Sequence, residues 1–214
     1  MMFSNDSKKV KNSPLFKAIE TGDLATLKIL LQSGCNLEQK NCNGLTPMQV
    51  AVALDHVEIA RTLLSAGASL DGLDEHIFGN AVYRRKLDTI SFLIEIGIDV
   101  NMRFHEDQDT TALMVAVNTG DLDIVKKLVE SGADVNAVNR KNAYALMNAT
   151  RPDLKEIYDY LAPLTSSKLR ELAEKIRPPI KNKQEEIQRN RDELQKTLKL
   201  FNSSKKRKQK KTER

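Results

Sequence analysis

The sequence predicts an all-α stack of short helix pairs, continued by a helical extension and a basic tail. Three observations carry that expectation. Alanines Ala18, Ala51, Ala81, Ala116 and Ala149 recur at spacings of 33, 30, 35 and 33 residues. Sixteen residues after each of the first four stands a glycine: Gly34, Gly67, Gly97 and Gly132. Each of these glycines closes an apolar run of helical period. A period of this size means stacked supersecondary units, none of which buries its apolar face alone.

The units follow one plan. Residues 1–11 are expected to be disordered. The first unit opens at Ser13-Pro14-Leu15-Phe16-Lys17-Ala18, with Ser13 as cap. The second opens at Thr46-Pro47-Met48-Gln49-Val50-Ala51. The Thr hydroxyl satisfies an orphan N–H, and Pro suits the first helical position because its missing donor is not needed there. Asp55-His56 makes a turn, with His56 expected to cap the second helix. That helix, Val57 to Ser65, places Ile59, Ala60, Leu63 and Leu64 on one face before Gly67 ends it. The fourth unit opens at Thr111-Ala112-Leu113-Met114-Val115-Ala116 and closes on Leu128-Val129-Glu130-Ser131-Gly132-Ala133-Asp134-Val135-Asn136.

These openings, the period and the helix ends resemble the ankyrin repeat family, whose unit is a helix pair followed by a hairpin finger. The resemblance covers residues 12–165 and implies about five repeats. The sequence also departs from the family pattern. Gln49 and Met114 stand where the motif has histidine, so some hydrogen bonding within the repeat is expected to be missing. The third unit, Ile77-Phe78-Gly79-Asn80-Ala81, lacks Thr-Pro and is three residues short. A polar stretch from Arg103 to Thr110 makes the next finger longer. The fifth unit, Tyr144 to Leu164, has lost its glycine and turns at Arg151-Pro152-Asp153, as suits a terminal cap.

The resemblance implies a non-enzymatic protein-interaction module or scaffold, binding a partner protein across the concave face of finger tips and first helices. Carried over by position, the expected protein-binding residues are Leu54, Tyr83, Arg84, Arg103, Phe104, His105, Asn118, Arg140 and Lys141. Tyr and Arg anchor interfaces most often, so Tyr83, Arg84, Arg103 and Phe104 are the expected centre. The competing reading makes Phe104 a packing residue of the finger and leaves the arginines solvated.

Residues 166–201 are expected to form the helical extension. Ser167 is expected to cap a helix over Lys168–Arg177, with Leu169, Leu172, Ala173 and Ile176 on one face. Pro178-Pro179 stops it. A second helix, Ile180 to Phe201, carries Ile180, Ile187, Leu194 and Phe201 at seven-residue spacing. Lys183, Gln184 and Arg191 interrupt the second seam that a coiled coil needs, so docking on the last repeat or on a partner is favoured.

Residues 202–214 are expected to be a disordered basic tail, read first as a solubilising end. The net charge is +5, but residues 205–214 alone carry +6 through Lys205, Lys206, Arg207, Lys208, Lys210, Lys211 and Arg214 against Glu213. The rest is close to neutral. The alternative function is therefore a nucleic-acid-associated regulator in which this tail supplies a weak phosphate contact or a nuclear-import address. The run has no aromatic residue for base stacking.

Catalysis and cofactors find no support. His56, His76 and His105 are isolated, there is no phosphate loop, and the cysteines Cys35 and Cys42 lack metal-ligand spacing. Glu106, Asp107 and Asp109 lack the ligand alternation of a calcium loop. No cofactor or metal is expected. The absence of a secretory signal or an apolar membrane span predicts a soluble cytoplasmic protein, or a nuclear one if the organism has a nucleus; a monomer is expected.

Overall fold

The computed structural model describes residues 13–104 and 109–176. The chain divides into two units, Met1–Arg177 and Pro178–Arg214, and the second lies outside the described residues. So do the N-terminal stretch, His105, the expected helix over 180–201 and the basic tail.

The described residues form a succession of helix pairs. The first pair is α1 (Pro14–Glu20) and α2 (Leu24–Gln32); the second is α3 (Pro47–Ala53) and α4 (Val57–Ser65). Next come α5 (Glu75–Tyr83) with α6 (Leu87–Glu95), and α7 (Ala112–Thr119) with α8 (Leu122–Glu130). The fifth pair is shorter: α9 (Ala145–Asn148), a 3-10 turn at Pro152–Leu154, and α10 (Lys155–Leu161). Helix α11 (Ser167–Ile176) completes the array. First helices pack on first helices and second on second: α1 on α3, α3 on α5, α5 on α7 and α7 on α9.

The periodic alanines lie between these first helices. Ala18, Ala51, Ala81, Ala116 and Ala149 are all buried, as are Leu15, Met48, Phe78, Leu113 and Leu146 three residues before them. The small side chain lets adjacent helices approach, while the large one fills the gap beside it. In the second helices Leu63, Leu93 and Leu128 are each 0% exposed. Burial of one such leucine stabilises the stack by about 2–3 kcal/mol. The greasy faces are thus covered by neighbouring pairs, as the sequence period implies.

Caps set the helix ends. Thr46 Oγ1 accepts from Gln49 N at 3.3 Å, and Gln49 Oε1 accepts from Thr46 N at 2.9 Å, a reciprocal capping box. Gln49 therefore restores hydrogen bonding that the missing histidine was expected to forfeit. Its Nε2 also donates to the Gly72 carbonyl at 2.8 Å, fastening the loop that leads into the third repeat. That loop, residues 68–74, is the shortened finger. Helix α5 begins early and is capped by Asp74, whose carboxylate accepts from His76 N and Ile77 N. Asp23 caps α2, and the Thr26 hydroxyl and amide hold its carboxyl below the usual range. His56 occupies the cap position of α4 but makes no side-chain cap. Its ring lies instead against Gly22, where a methyl group would come 3.3 Å from Cε1.

The long finger closes as a two-residue hairpin. Strand β1 (Arg103–Phe104) pairs antiparallel with β2 (Thr110–Thr111), Arg103 opposite Thr111 and Phe104 opposite Thr110. Fingers also bond from repeat to repeat. Asn101 donates Nδ2 to the Gly132 carbonyl at 3.0 Å and accepts from Asp134 N at 2.7 Å. Asn136, its equivalent, accepts from Ser166 N at 2.8 Å. Ser167 is the first helical residue of α11 rather than its cap. The expected apolar face of α11 is split: Ala173 is buried and Leu169 half-buried, whereas Leu172 and Ile176 are exposed. Tyr144 Oη donates to the Leu169 carbonyl at 2.8 Å, tying α11 to α9.

Candidate functional site

The C-terminal ends of α3, α5 and α7 bring equivalent residues of successive repeats into one row. Leu54 and Arg84 follow the last helical residues of α3 and α5, and Asn118 and Thr119 end α7. The chain must then reverse into the second helix. It does so through a left-handed residue, which is glycine in Gly22 and Gly120 but Asp55 and Arg85 in the middle repeats, at φ +65° and +59°. The turn throws the Arg85 side chain towards the next repeat, where its guanidinium donates to the Thr119 carbonyl. That bond satisfies a carbonyl at the negative end of α7.

Tyr83, Arg85, Val115, Asn118 and Thr119 line an open groove of about 390 Å³. Tyr83 is 72% exposed and Leu54 45% exposed, both high for large apolar side chains. Arg84 and Asn118 are exposed too. Among the described residues, no carboxylate lines this groove. Two expected residues, Tyr83 and Asn118, thus share its wall. Thr119 is expected beside Asn118 from the same register, whereas Arg85 and Val115 escaped the sequence reading. The turn register shared by Gly22, Asp55 and Gly120 was a signal for Arg85, although the direction of its side chain was not.

The finger residues have other attachments. Arg103 is half-buried and donates Nη1 to the carbonyls of Asp109 at 3.2 Å and Val138 at 3.0 Å. Arg140 pairs with the Asp109 carboxylate at 2.5 Å. These contacts clamp the third finger to the fourth. Phe104 is half-buried against α5 at Gly79, where a Cβ would lie 3.1 Å from the ring. Gly79 leaves the space that the ring occupies. Lys141 is exposed at the fourth finger tip, and His105 lies outside the described residues.

A larger open groove of about 720 Å³ runs along the inter-helix turns and second helices, past His56, Glu58, Arg61, Asp88 and Glu95. Arg61 bonds Glu95 at 2.6 Å and stacks over Phe92 at 5.3 Å. Among the described residues there is no group of three or more His, Cys, Asp or Glu placed to hold a metal ion. None of the described helices is long and apolar enough to cross a membrane.

A family model for ankyrin repeats (three copies) matches residues 2–74 and 78–170. The chain is 30% identical over 143 residues to the potassium channel AKT2/3 of Arabidopsis thaliana, covering 65% of this chain and 17% of that one. It is 29% identical over 129 residues to an ankyrin repeat protein of Rickettsia felis, covering 60% and 45%. An L-asparaginase of Dirofilaria immitis is 28% identical over 149 residues, covering 67% and 25%. The chain thus spans less than half the length of each of these relatives. Ankyrin repeats are protein-interaction modules. With the period, the helix pairs, the fingers and the family match in agreement, this chain belongs to the ankyrin repeat family.

Proposed function

We propose that this chain is a non-enzymatic adaptor that binds a partner protein through the row from Leu54 to Asn118, with the third and fourth fingers as its flank. One observation carries the reading: Tyr83 stands 72% exposed beside a groove, with Leu54 exposed in the adjacent repeat. Large side chains left in water at the first-helix ends of neighbouring repeats favour a partner that would cover them. Arg140 and Lys141 at the fourth finger supply rim contacts. Arg103 and Phe104 act in this reading by holding the third finger in place, and His105 belongs to the same finger.

The similarity to an L-asparaginase covers a quarter of that protein. We place the adaptor in the cytoplasm, or in a nucleus if the organism has one, as a monomer. Lys205, Lys206, Arg207, Lys208, Lys210 and Lys211 would add a weak, salt-sensitive phosphate contact, tested by deleting residues 202–214 and measuring nucleic-acid affinity at two salt concentrations.

The binding face is tested by placing a photo-crosslinking residue at Tyr83 or at Ile29, which is 66% exposed on α2. Crosslinking in cell extract should give one specific protein adduct from position 83 and none from position 29. Equal or absent adducts at both positions would refute the assignment.

A further inference from the structure

Charge and apolarity are not evenly spread along the row, and their arrangement points to the chemistry of what sits on it. Equivalent positions of the first four repeats read Glu20 and Thr21, Ala53 and Leu54, Tyr83 and Arg84, Asn118 and Thr119. The exposed apolar pair, Leu54 and Tyr83, comes from the second and third repeats. Cations follow immediately in Arg84, Arg85 and Lys86. Two of these have internal partners: Arg85 donates to Thr119, and Lys86 pairs with Asp55 at 3.1 Å. Arg84 is exposed and makes no ion pair among the described residues. Beyond it the groove offers the Asn118 amide, with no carboxylate among its described lining residues; the Thr119 hydroxyl donates to the Ala116 carbonyl at 2.8 Å.

We infer that the occupant of this row is an acidic peptide segment, with an apolar side chain seated on Leu54 and Tyr83 and a neighbouring carboxylate on Arg84. The inference rests on the proposed binding face and adds the class of partner. An aromatic ring and a leucine provide the desolvated contact, which supplies most of the affinity. The Arg84 guanidinium follows Tyr83 directly, with no competing carboxylate among the described residues of the groove, and selects the sign of the flanking charge. A basic segment would leave Arg84 facing a like charge, which costs affinity without any gain in contact.

The test is selection of short random displayed peptides on the full-length chain, repeated on Tyr83→Ala and Arg84→Glu. Both substitutions lie at exposed positions, and an unchanged circular dichroism spectrum checks the fold. Peptides that lose about tenfold or more in affinity on Tyr83→Ala should carry Leu, Ile or Phe flanked by Asp or Glu. Arg84→Glu should weaken the same peptides and enrich ones flanked by Lys or Arg. Peptides drawn only to the basic tail would bind Tyr83→Ala as well as the parent and so drop out. Tyr83-dependent peptides without acidic flanks would overturn the acidic class while leaving the face standing. A selection yielding no Tyr83-dependent peptide would overturn both.

Discussion

Thr89 donates its hydroxyl to Oδ1 of Asp55 at 2.6 Å across the junction of the second and third repeats. Thr89 is 1% exposed, in a row of α6 where α4 and α8 place Ile59 and Ile124. A polar residue is tolerated there because the left-handed turn aims Asp55 at it, and Lys86 approaches the same carboxylate. Thr89→Val keeps the shape and removes the donor. It should destabilise the chain by about 1–2 kcal/mol in urea unfolding. In a double-mutant cycle with Asp55→Ala the two losses should be less than additive. Full additivity would show that the bond contributes nothing.

Gly72→Ala should cost about 2 kcal/mol or more. Gly72 has φ +77°, and an added methyl would collide with the Gln49 amide. The substitution thus strains the backbone and expels the side chain that closes the capping box. Gly44→Ala, at the same φ with open space around it, isolates the backbone part and should cost less. Equal losses for the two variants would rule out the part assigned to Gln49.

Gly79→Ala separates helix propensity from finger packing. Alanine in place of a helical glycine gains about 1 kcal/mol. Here the methyl would meet the Phe104 ring at 3.1–3.3 Å. The gain should therefore be smaller in the parent than in a Phe104→Ala background, by about 0.5 kcal/mol or more. The same gain in both backgrounds would mean that Phe104 does not rest on α5.

Alkaline pH should loosen the C-terminal end of the array. Burial, and then the charge of Tyr158, push the Tyr144 phenol above its ordinary value of 10.0. Burial, and then Glu130, do the same to Tyr160. Phenols raised in the folded state favour the protonated form, so their contribution is full below pH 10 and falls as pH rises through the folded values. Tyr144→Phe also removes the bond to Leu169. It should lower stability by about 1 kcal/mol at pH 7, speed amide exchange in α11, and flatten the decline above pH 10. A parent and variant that decline in parallel would exclude Tyr144 as the group responsible.

How far the site could be read without coordinates differs by residue. The exposed helix-end positions of Tyr83 and Asn118 follow from the repeat register of the family, which tells which end of a first helix they occupy. Arg103 and Phe104 have the residue types of an interface, yet one braces two fingers and the other fills the space beside Gly79. Sequence supplies side-chain type and register, but not which neighbour satisfies a group first.

Taken by itself, the amino-acid sequence determined the array: its period, its buried alanines, its capped helix starts and the glycines that end the second helices. Those features depend on contacts within a repeat or between adjacent repeats of known register, so pattern suffices. Only the tertiary structure decided how Gln49 fastens the shortened finger, how Arg85 spans to Thr119, and how Arg103 and Asp109 join successive fingers. Such bonds depend on the direction of flexible side chains across repeats of irregular length. Direction is set by packing, which no one-dimensional pattern encodes.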